Sequence, residues 1–206
     1  MDIGEFTPDF FSLAGRTAVV TGGNGGLGRA FTVALAAAGA DVFVPSLVDD
    51  DGTTRRLVEE RNRRYGFLQA DITAPGVPEK AVAACVAEMG GIDILVNSAG
   101  INLLSEDVLA FDRTKWDPMI AVNLTAAFDF ARAAAERMIP NRSGKIVNVA
   151  SLFSFLGGRQ SPAYAASKAG IVGFTRAYAD ELGEFGIQVN AIAPGYFATA
   201  LTEKTR

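Results

Sequence analysis

From Thr17 onward, short and nearly unbroken apolar runs alternate with longer alanine-rich stretches of helical period. An apolar run without polar alternation suits a strand buried on both faces, the situation of a parallel sheet covered by crossover helices. The pattern predicts six strands: TAVVTG (17–22), DVFVPS (41–46), FLQAD (67–71), ILVNSAG (94–100), KIVNVAS (145–151) and QVNAIAP (188–194). Five helices fall between them, at 28–38, 53–64, 78–89, 115–138 and 162–184. Pro118 then sits near the start of the fourth, where proline is tolerated. SLVDDDGTT (46–54) reads as a polar loop and NRSGK (141–145) as a turn. No internal repeat or linker interrupts the series, so the expected fold class is α/β, a doubly wound parallel sheet in one domain over 1–206, with 1–15 as an N-terminal extension.

The pattern places several polar and glycine positions at the carboxyl ends of strands, where such sheets bind ligands. TGGNGGLG follows the first strand directly and runs into an apolar helix, putting Gly22, Gly26 and Gly28 at the strand-to-helix turn. Glycine allows positive φ and close approach of a pyrophosphate, and a helix N-terminus offers free amides and a favourable dipole. The spacing is GxxxGxG, which differs from the GxGxxG fingerprint. Asp71 ends the third strand and either accepts from an adenine amino group or caps the next helix. Asn97, with Ala99 and Gly100, ends the fourth strand beside the space for a cofactor ribose. PGYFAT follows the sixth strand, where Pro194 and Gly195 shape a bend and Thr199 reaches a carboxamide or phosphate.

Composition narrows the chemistry. The chain has 206 residues, 49% hydrophobic and 20% charged, with a formal net charge of −4. No lysine and arginine cluster forms a nucleic-acid footprint, so nucleic acid is excluded as main partner. No signal peptide pattern and no apolar run of about 18 residues is present, which predicts a cytoplasmic protein without a membrane partner. There is no histidine, which removes a Ser-His-Asp triad and the common zinc sites, and no metal is expected. Cys85, the single cysteine, reads as a core thiol.

What remains is a tyrosine and a lysine four apart in YAASK, Tyr164 and Lys168, thirteen residues after Ser151. Four residues make one helical turn, so phenol and ammonium share a face. A free phenol has a pKa of about 10. A neighbouring lysine cation is expected to pull it toward neutrality, and a serine hydroxyl at the end of the fifth strand to bind the reacting oxygen. These groups suit proton transfer at a carbonyl or alcohol.

With GxxxGxG, NSAG, Ser151, YAASK and PG in this order, the chain resembles the short-chain dehydrogenase/reductase family over residues 12–206. The resemblance implies hydride transfer between a nicotinamide and a secondary alcohol or ketone, with Asn123, Ser151, Tyr164 and Lys168 as catalytic tetrad. Tyr164 would be the acid–base and Lys168 would hold the nicotinamide ribose. Ser151 would orient the substrate oxygen, and Asn123 would hold a relay water. The cofactor positions implied are Gly22, Asn24, Gly26, Leu27, Gly28, Ser46, Asp71, Ile72, Asn97, Ala99, Gly100, Tyr164, Lys168, Pro194, Gly195, Phe197 and Thr199. SLFSFLGG, DELGEFGIQVNAIAPGYFAT and FSLAG are most similar to the sugar-acid branch, typified by 2-deoxy-D-gluconate 3-dehydrogenase and gluconate 5-dehydrogenase. A 3-oxoacyl-thioester reductase of the same family and a non-catalytic dinucleotide sensor are the alternatives. Ser151, Arg159, Gln160 and Tyr164 are the expected substrate contacts, with Arg159 either meeting a carboxylate or solvated on its loop.

Three departures from the family pattern matter. Ser98 replaces the second asparagine of NNAG. Ser46 stands where an aspartate would hold both ribose hydroxyls of NAD, yet neither Leu47 nor Gly25 supplies a cation for the 2′-phosphate of NADP. Asp49, Asp50 or Asp51 would repel that phosphate, so NAD is favoured over NADP. Finally, family members continue past the position of Arg206 into a substrate lid and a seventh strand, so a further C-terminal segment is expected in the full-length protein. The resemblance also implies a homodimer or homotetramer through the helices at 115–138 and 162–184.

Overall fold

A computed structural model describes residues 8–199 and 201–202. Residues 1–7, which open the expected N-terminal extension, and 203–206, where the expected lid would begin, lie outside the described residues. Six parallel strands form one sheet: β1 (Thr17–Val20), β2 (Asp41–Ser46), β3 (Tyr65–Gln69), β4 (Ile94–Asn97), β5 (Gly144–Val149) and β6 (Ile187–Ile192). Their spatial order is β3-β2-β1-β4-β5-β6. The winding direction therefore reverses between β1 and β4, which opens a crevice at their carboxyl ends.

The helices are α1 (Gly26–Ala37), α2 (Thr53–Glu59), α3 (Val77–Met89), α4 (Arg113–Ile120), α5 (Ala126–Met138) and α6 (Pro162–Gly183). Successive strand residues point to opposite faces, and both faces are apolar. Ala18, Val20, Val42, Val44, Ile94 and Val96 share a cluster with Ala36 of α1 and Val58 of α2. Val19, Phe43, Leu95, Ile146 and Ile187 pack instead against α3, α5 and the end of α6. Small residues set the spacing. A methyl on Gly66 would lie 2.4 Å from the Phe43 ring, and one on Gly170 would lie 2.8 Å from Leu124.

Two sequence expectations change. The second helix stops at Glu59, because Asn62 takes a positive φ of 55° and Arg64 is held by Asp41, its N–H and Nε donating to the carboxylate at 2.9 and 2.7 Å. The helix expected over 115–138 is interrupted by a π-helical turn, Ala121–Thr125, between α4 and α5. It also begins earlier, at Arg113, where Asp112 accepts from Thr114 N–H at 2.9 Å, so Pro118 lies inside α4. A π turn closes its hydrogen bonds one residue later than an α turn and so shifts the facing of α5 relative to α4. Asn123 lies within it, 2% exposed. The apolar period continues across the turn, which is why the pattern reads as one helix.

Candidate active site

At the carboxyl ends of β1, β2 and β4 lies a cleft of about 650 Å³, within the usual range for small-molecule sites. The glycine-rich turn forms one wall. Gly22 has φ +64°, and a methyl there would stand 3.2 Å from Ala99 Cα; one on Gly28 would stand 2.2 Å from the Gly22 carbonyl oxygen. Glycine is thus required where the turn meets the β4 loop and where α1 meets the turn. Gly25 and Gly26, by contrast, leave the cleft open: a methyl on Gly25 would touch nothing within 4 Å. Thr21 completes this wall, its hydroxyl accepting from the N–H groups of Ser98 and Ala99 at 3.0 and 3.1 Å. No side chain caps the N-terminus of α1. Its amides remain available to an anion, so these residues fit a dinucleotide pyrophosphate.

Gly22, Asn24, Gly26, Leu27, Gly28, Ser46, Asp71, Ile72, Ala99, Gly100, Ser151, Tyr164, Lys168, Pro194, Gly195, Phe197 and Thr199 all line the cleft. Asn24 does so as a brace, since its Nδ2 donates to the carbonyls of Val48 and Asp49 at 2.8 and 3.2 Å and ties the β2–α2 loop to the turn. Asp71 does not cap α3, whose N-cap is Gly76. It closes a local turn, accepting from the Thr73 hydroxyl and N–H, and these bonds hold its carboxyl below the usual carboxylate range. It therefore meets the cleft as an anionic acceptor.

The three aspartates after β2 are sorted by their contacts. Asp50 lies beside Arg55 at 3.9 Å and is absent from the cleft lining. Asp51 accepts from Thr53 N–H at 2.9 Å, which chiefly lowers its pKa, and pairs with Arg29 at 3.3 Å. Asp49 faces the cleft. Arg29, to which the sequence pattern gives no role, also lines the cleft and donates to Asn24 O at 2.6 Å and Thr54 Oγ1 at 2.8 Å. Its only sequence signal is its place directly after Gly28.

Four expected residues, Asn97, Asn123, Arg159 and Gln160, are not in the cleft lining. Asn97 is 5% exposed and turned into the sheet, where Nδ2 donates to Ala127 O at 3.0 Å and to Asn148 Oδ1 at 2.9 Å. Asn148 in turn donates to Thr175 on α6. Period-two alternation puts Asn97 on the buried side and Ser98 on the cleft side. Arg159 and Gln160 are exposed and outside the lining residues. Gln160 has φ +66°, and its carbonyl accepts from Ser105 N–H, so the loop turns outward there.

The reacting end is built from side chains. Ser151 leaves β5 and caps a short 3-10 turn, Leu152–Ser154, its Oγ accepting from Phe153 N–H at 3.2 Å. The hydroxyl hydrogen is thereby left to donate elsewhere. Ser154 reaches across to α6, donating to Lys168 O at 2.7 Å. Tyr164 and Lys168 both face inward, 8% and 4% exposed. Lys168 Nζ donates to the Val149 carbonyl at 2.6 Å and lies 5.7 Å from the Tyr164 ring centre. Asn123 clamps the β4 loop, its Oδ1 accepting from Ile101 N–H at 2.8 Å and its Nδ2 donating to Ile101 O at 2.9 Å and to Ser167 Oγ at 3.2 Å.

The electrostatics differ from the expectation of a phenol acidified by lysine. Burial raises the Tyr164 pKa, and the Ser151 hydroxyl opposes it only in part. Burial also lowers Lys168 to about 8. A lysine that sheds its proton near pH 8 has no charge left at the pH where a buried phenol ionises. In the structure as it stands, desolvation therefore governs both groups. Among the described residues no cluster of three His, Cys, Asp or Glu side chains is placed to hold a metal, and no helix is long and apolar enough to cross a membrane.

Sequence comparison agrees with this geometry over nearly the whole chain: the short chain dehydrogenase family matches residues 16–206. The chain belongs to that family. The short-chain dehydrogenase described here is 57% identical to the uncharacterized oxidoreductase YgcW of Escherichia coli K12, over 99% of this chain and 78% of the relative. It is 43% identical to 2-dehydro-3-deoxy-D-gluconate 5-dehydrogenase of the same organism, over 95% of this chain and 77% of the relative. Its fold superposes with a TM-score of 0.89 on a candidate NAD(P)-dependent gluconate 5-dehydrogenase from Beutenbergia cavernae, solved with NADP at low occupancy. That protein is 39% identical, with 95% of this chain and 78% of the other covered. As a short-chain dehydrogenase it is an oxidoreductase with an NAD(P)-binding fold and a small-molecule substrate.

Proposed function

We propose that this short-chain dehydrogenase interconverts a secondary alcohol and a ketone on a small sugar acid of the gluconate or deoxygluconate type, with NAD preferred to NADP. The observation that carries the reaction type is the convergence of Ser151, Tyr164 and Lys168 at one end of the glycine-walled cleft. A bound nicotinamide supplies or accepts the hydride. Ser151 donates its hydroxyl hydrogen to the substrate oxygen in place of Tyr164, and Tyr164, kept protonated by its burial, gives the proton that completes the alcohol. In the oxidative direction Tyr164 takes that proton back. Asn123 holds the β4 loop at Ile101 and thereby the cleft wall.

The sugar-acid assignment is supported by likeness to the 2-dehydro-3-deoxy-D-gluconate 5-dehydrogenase. The NAD preference is supported by Asp49 and Asp51 at the β2 end of the cleft, where a 2′-phosphate would meet like charge. Phe128, Phe174 and Tyr178 form an edge-on aromatic group across α5 and α6, with Phe128 40% exposed, and this face suits association of two copies. One observation favours a thioester ketone instead: Phe155, Leu156 and Tyr196 leave an apolar rim exposed. The test is nicotinamide absorbance with gluconate, 2-deoxygluconate and their keto forms against NAD and NADP, with a 3-oxoacyl thioester alongside. Turnover of a sugar acid with NAD is the expected result. Turnover of the thioester alone would replace the substrate assignment.

A further inference from the structure

The start of α6 departs from ordinary helix capping. Ser161 is its N-cap, a position where serine normally accepts from an N–H of the first turn, yet Ser161 makes no such bond. Its hydroxyl, 1% exposed, donates instead to Asn102 Oδ1 at 2.6 Å. The Leu103 carbonyl and the Met119 sulfur are the other acceptors within reach, at 3.3 and 3.7 Å. A hydroxyl has one hydrogen, and the shortest contact takes it. The bond that would stabilise the helix end is forgone here for an amide on another loop.

The consequence is an oriented amide. With Oδ1 committed to Ser161, the NH₂ of Asn102 is the remaining arm, and no partner for it is present among the described residues. Asn102 lines a small pocket with Ser151, Tyr164, Phe153 and Tyr196, on the side of the reacting groups away from the glycine-rich turn. Neighbouring bonds hold its loop in place: Asn123 grips Ile101, the Met119 sulfur accepts from Leu103 N–H, and Lys115 donates to Leu104 O. No arginine, lysine or acidic residue lines this pocket among the described residues.

We infer that Asn102 is a substrate-specificity residue, its amide N–H donating to a hydroxyl or carboxylate oxygen of the substrate beside the reacting carbon, and that Ser161 is the positioning residue that fixes the amide. This deepens the sugar-acid reading and rests on it, and it gives the role expected of Arg159 to a neutral donor instead.

The experiment measures kcat and KM for 5-ketogluconate reduction with NADH, together with NADH affinity by fluorescence and the thermal midpoint. The proteins are wild type, Asn102→Ala, Ser161→Ala and the double variant. Asn102→Ala is expected to raise the KM for the keto acid about tenfold, the worth of one hydrogen bond, with NADH affinity unchanged and at most a modest drop in the midpoint. Ser161→Ala should raise KM by a smaller factor, together with a modest drop in the midpoint from loss of the buried bond to Asn102. The double variant should be no worse than Asn102→Ala alone. An unchanged KM in Asn102→Ala with wild-type turnover would overturn the inference while leaving the sugar-acid reading standing. So would a Ser161→Ala effect that appears only as a lower midpoint. A wild-type protein that binds NADH but reduces no keto sugar acid would overturn the reading itself, and with it the substrate class assigned to Asn102.

Discussion

The two ends of the cleft are made of different material. At the glycine-rich end, Gly22, Gly25, Gly26 and Gly28 present backbone, and what matters is the absence of side chains and the presence of uncapped amides. At the reacting end, Ser151, Tyr164 and Lys168 are buried polar side chains held by bonds from β5, the 3-10 turn and α6. The first end tolerates a charged ligand because its own groups are fixed dipoles. The second holds a buried cation against its own desolvation, and the burial is what shifts its proton affinities. Under the proposed function, binding and chemistry are therefore separable, and damage to either end should have a distinct signature.

The sharpest test of this contrast is Lys168→Met, which should lower turnover by about a hundredfold while leaving the glycine-walled end intact. Its stability effect has a definite sign. The pKa of Lys168 falls from 10.5 to about 8 on folding. Between those values the unfolded chain binds more protons than the folded one, so stability rises with pH across that window. Chemical denaturation should therefore show wild type gaining on Lys168→Met by about 2–3 kcal/mol between pH 7.5 and 10. No such gain would mean that the lysine is not held in a desolvated setting.

The opposite end breaks through the backbone. A methyl on Gly28 would overlap the Gly22 carbonyl at 2.2 Å, and neither atom belongs to a side chain that can swing away. Gly28→Ala should cost about 1–3 kcal/mol of stability and weaken nucleotide binding by at least about tenfold, with bound-state turnover less affected. Fluorescence titration with NADH separates the two quantities. The smallest effect belongs to the rim: Asp51→Asn removes a like charge from the 2′ end and loosens its pair with Arg29. The ratio of NADP to NAD affinity should rise about threefold, in keeping with an exposed pair.

The same division explains what the sequence disclosed. A glycine-walled turn and a tyrosine and lysine one helical turn apart are local features, and spacing alone reveals them. Ser46 at the end of β2 and Thr199 beyond β6 were legible for the same reason, because strand ends are visible as the ends of apolar runs. Asn123 was named by resemblance, and the π turn that aims it at Ile101 leaves no mark on the apolar period. Asn97 sits at a legible strand end, yet its face depends on which residue closes the strand, and one residue decides between core and cleft. Arg159 was close to Ser151 and Tyr164 in number, whereas the positive φ at Gln160 turns that stretch of loop outward. Asn102 carried no signal, because its orientation depends on Ser161, 59 residues away. The lysine's effect on Tyr164 was misjudged because sequence supplies proximity but not burial.

The central claim, that one end binds and the other performs proton transfer, is tested most directly by Tyr164→Phe. This change removes one hydroxyl and keeps the ring against Phe153. Turnover with NAD and the sugar acid found active should fall about a thousandfold, while NADH affinity stays within about twofold of wild type. Turnover that survives the change would contradict the assignment of Tyr164 as the acid–base, and loss of NADH binding in parallel would contradict the separation of the two ends.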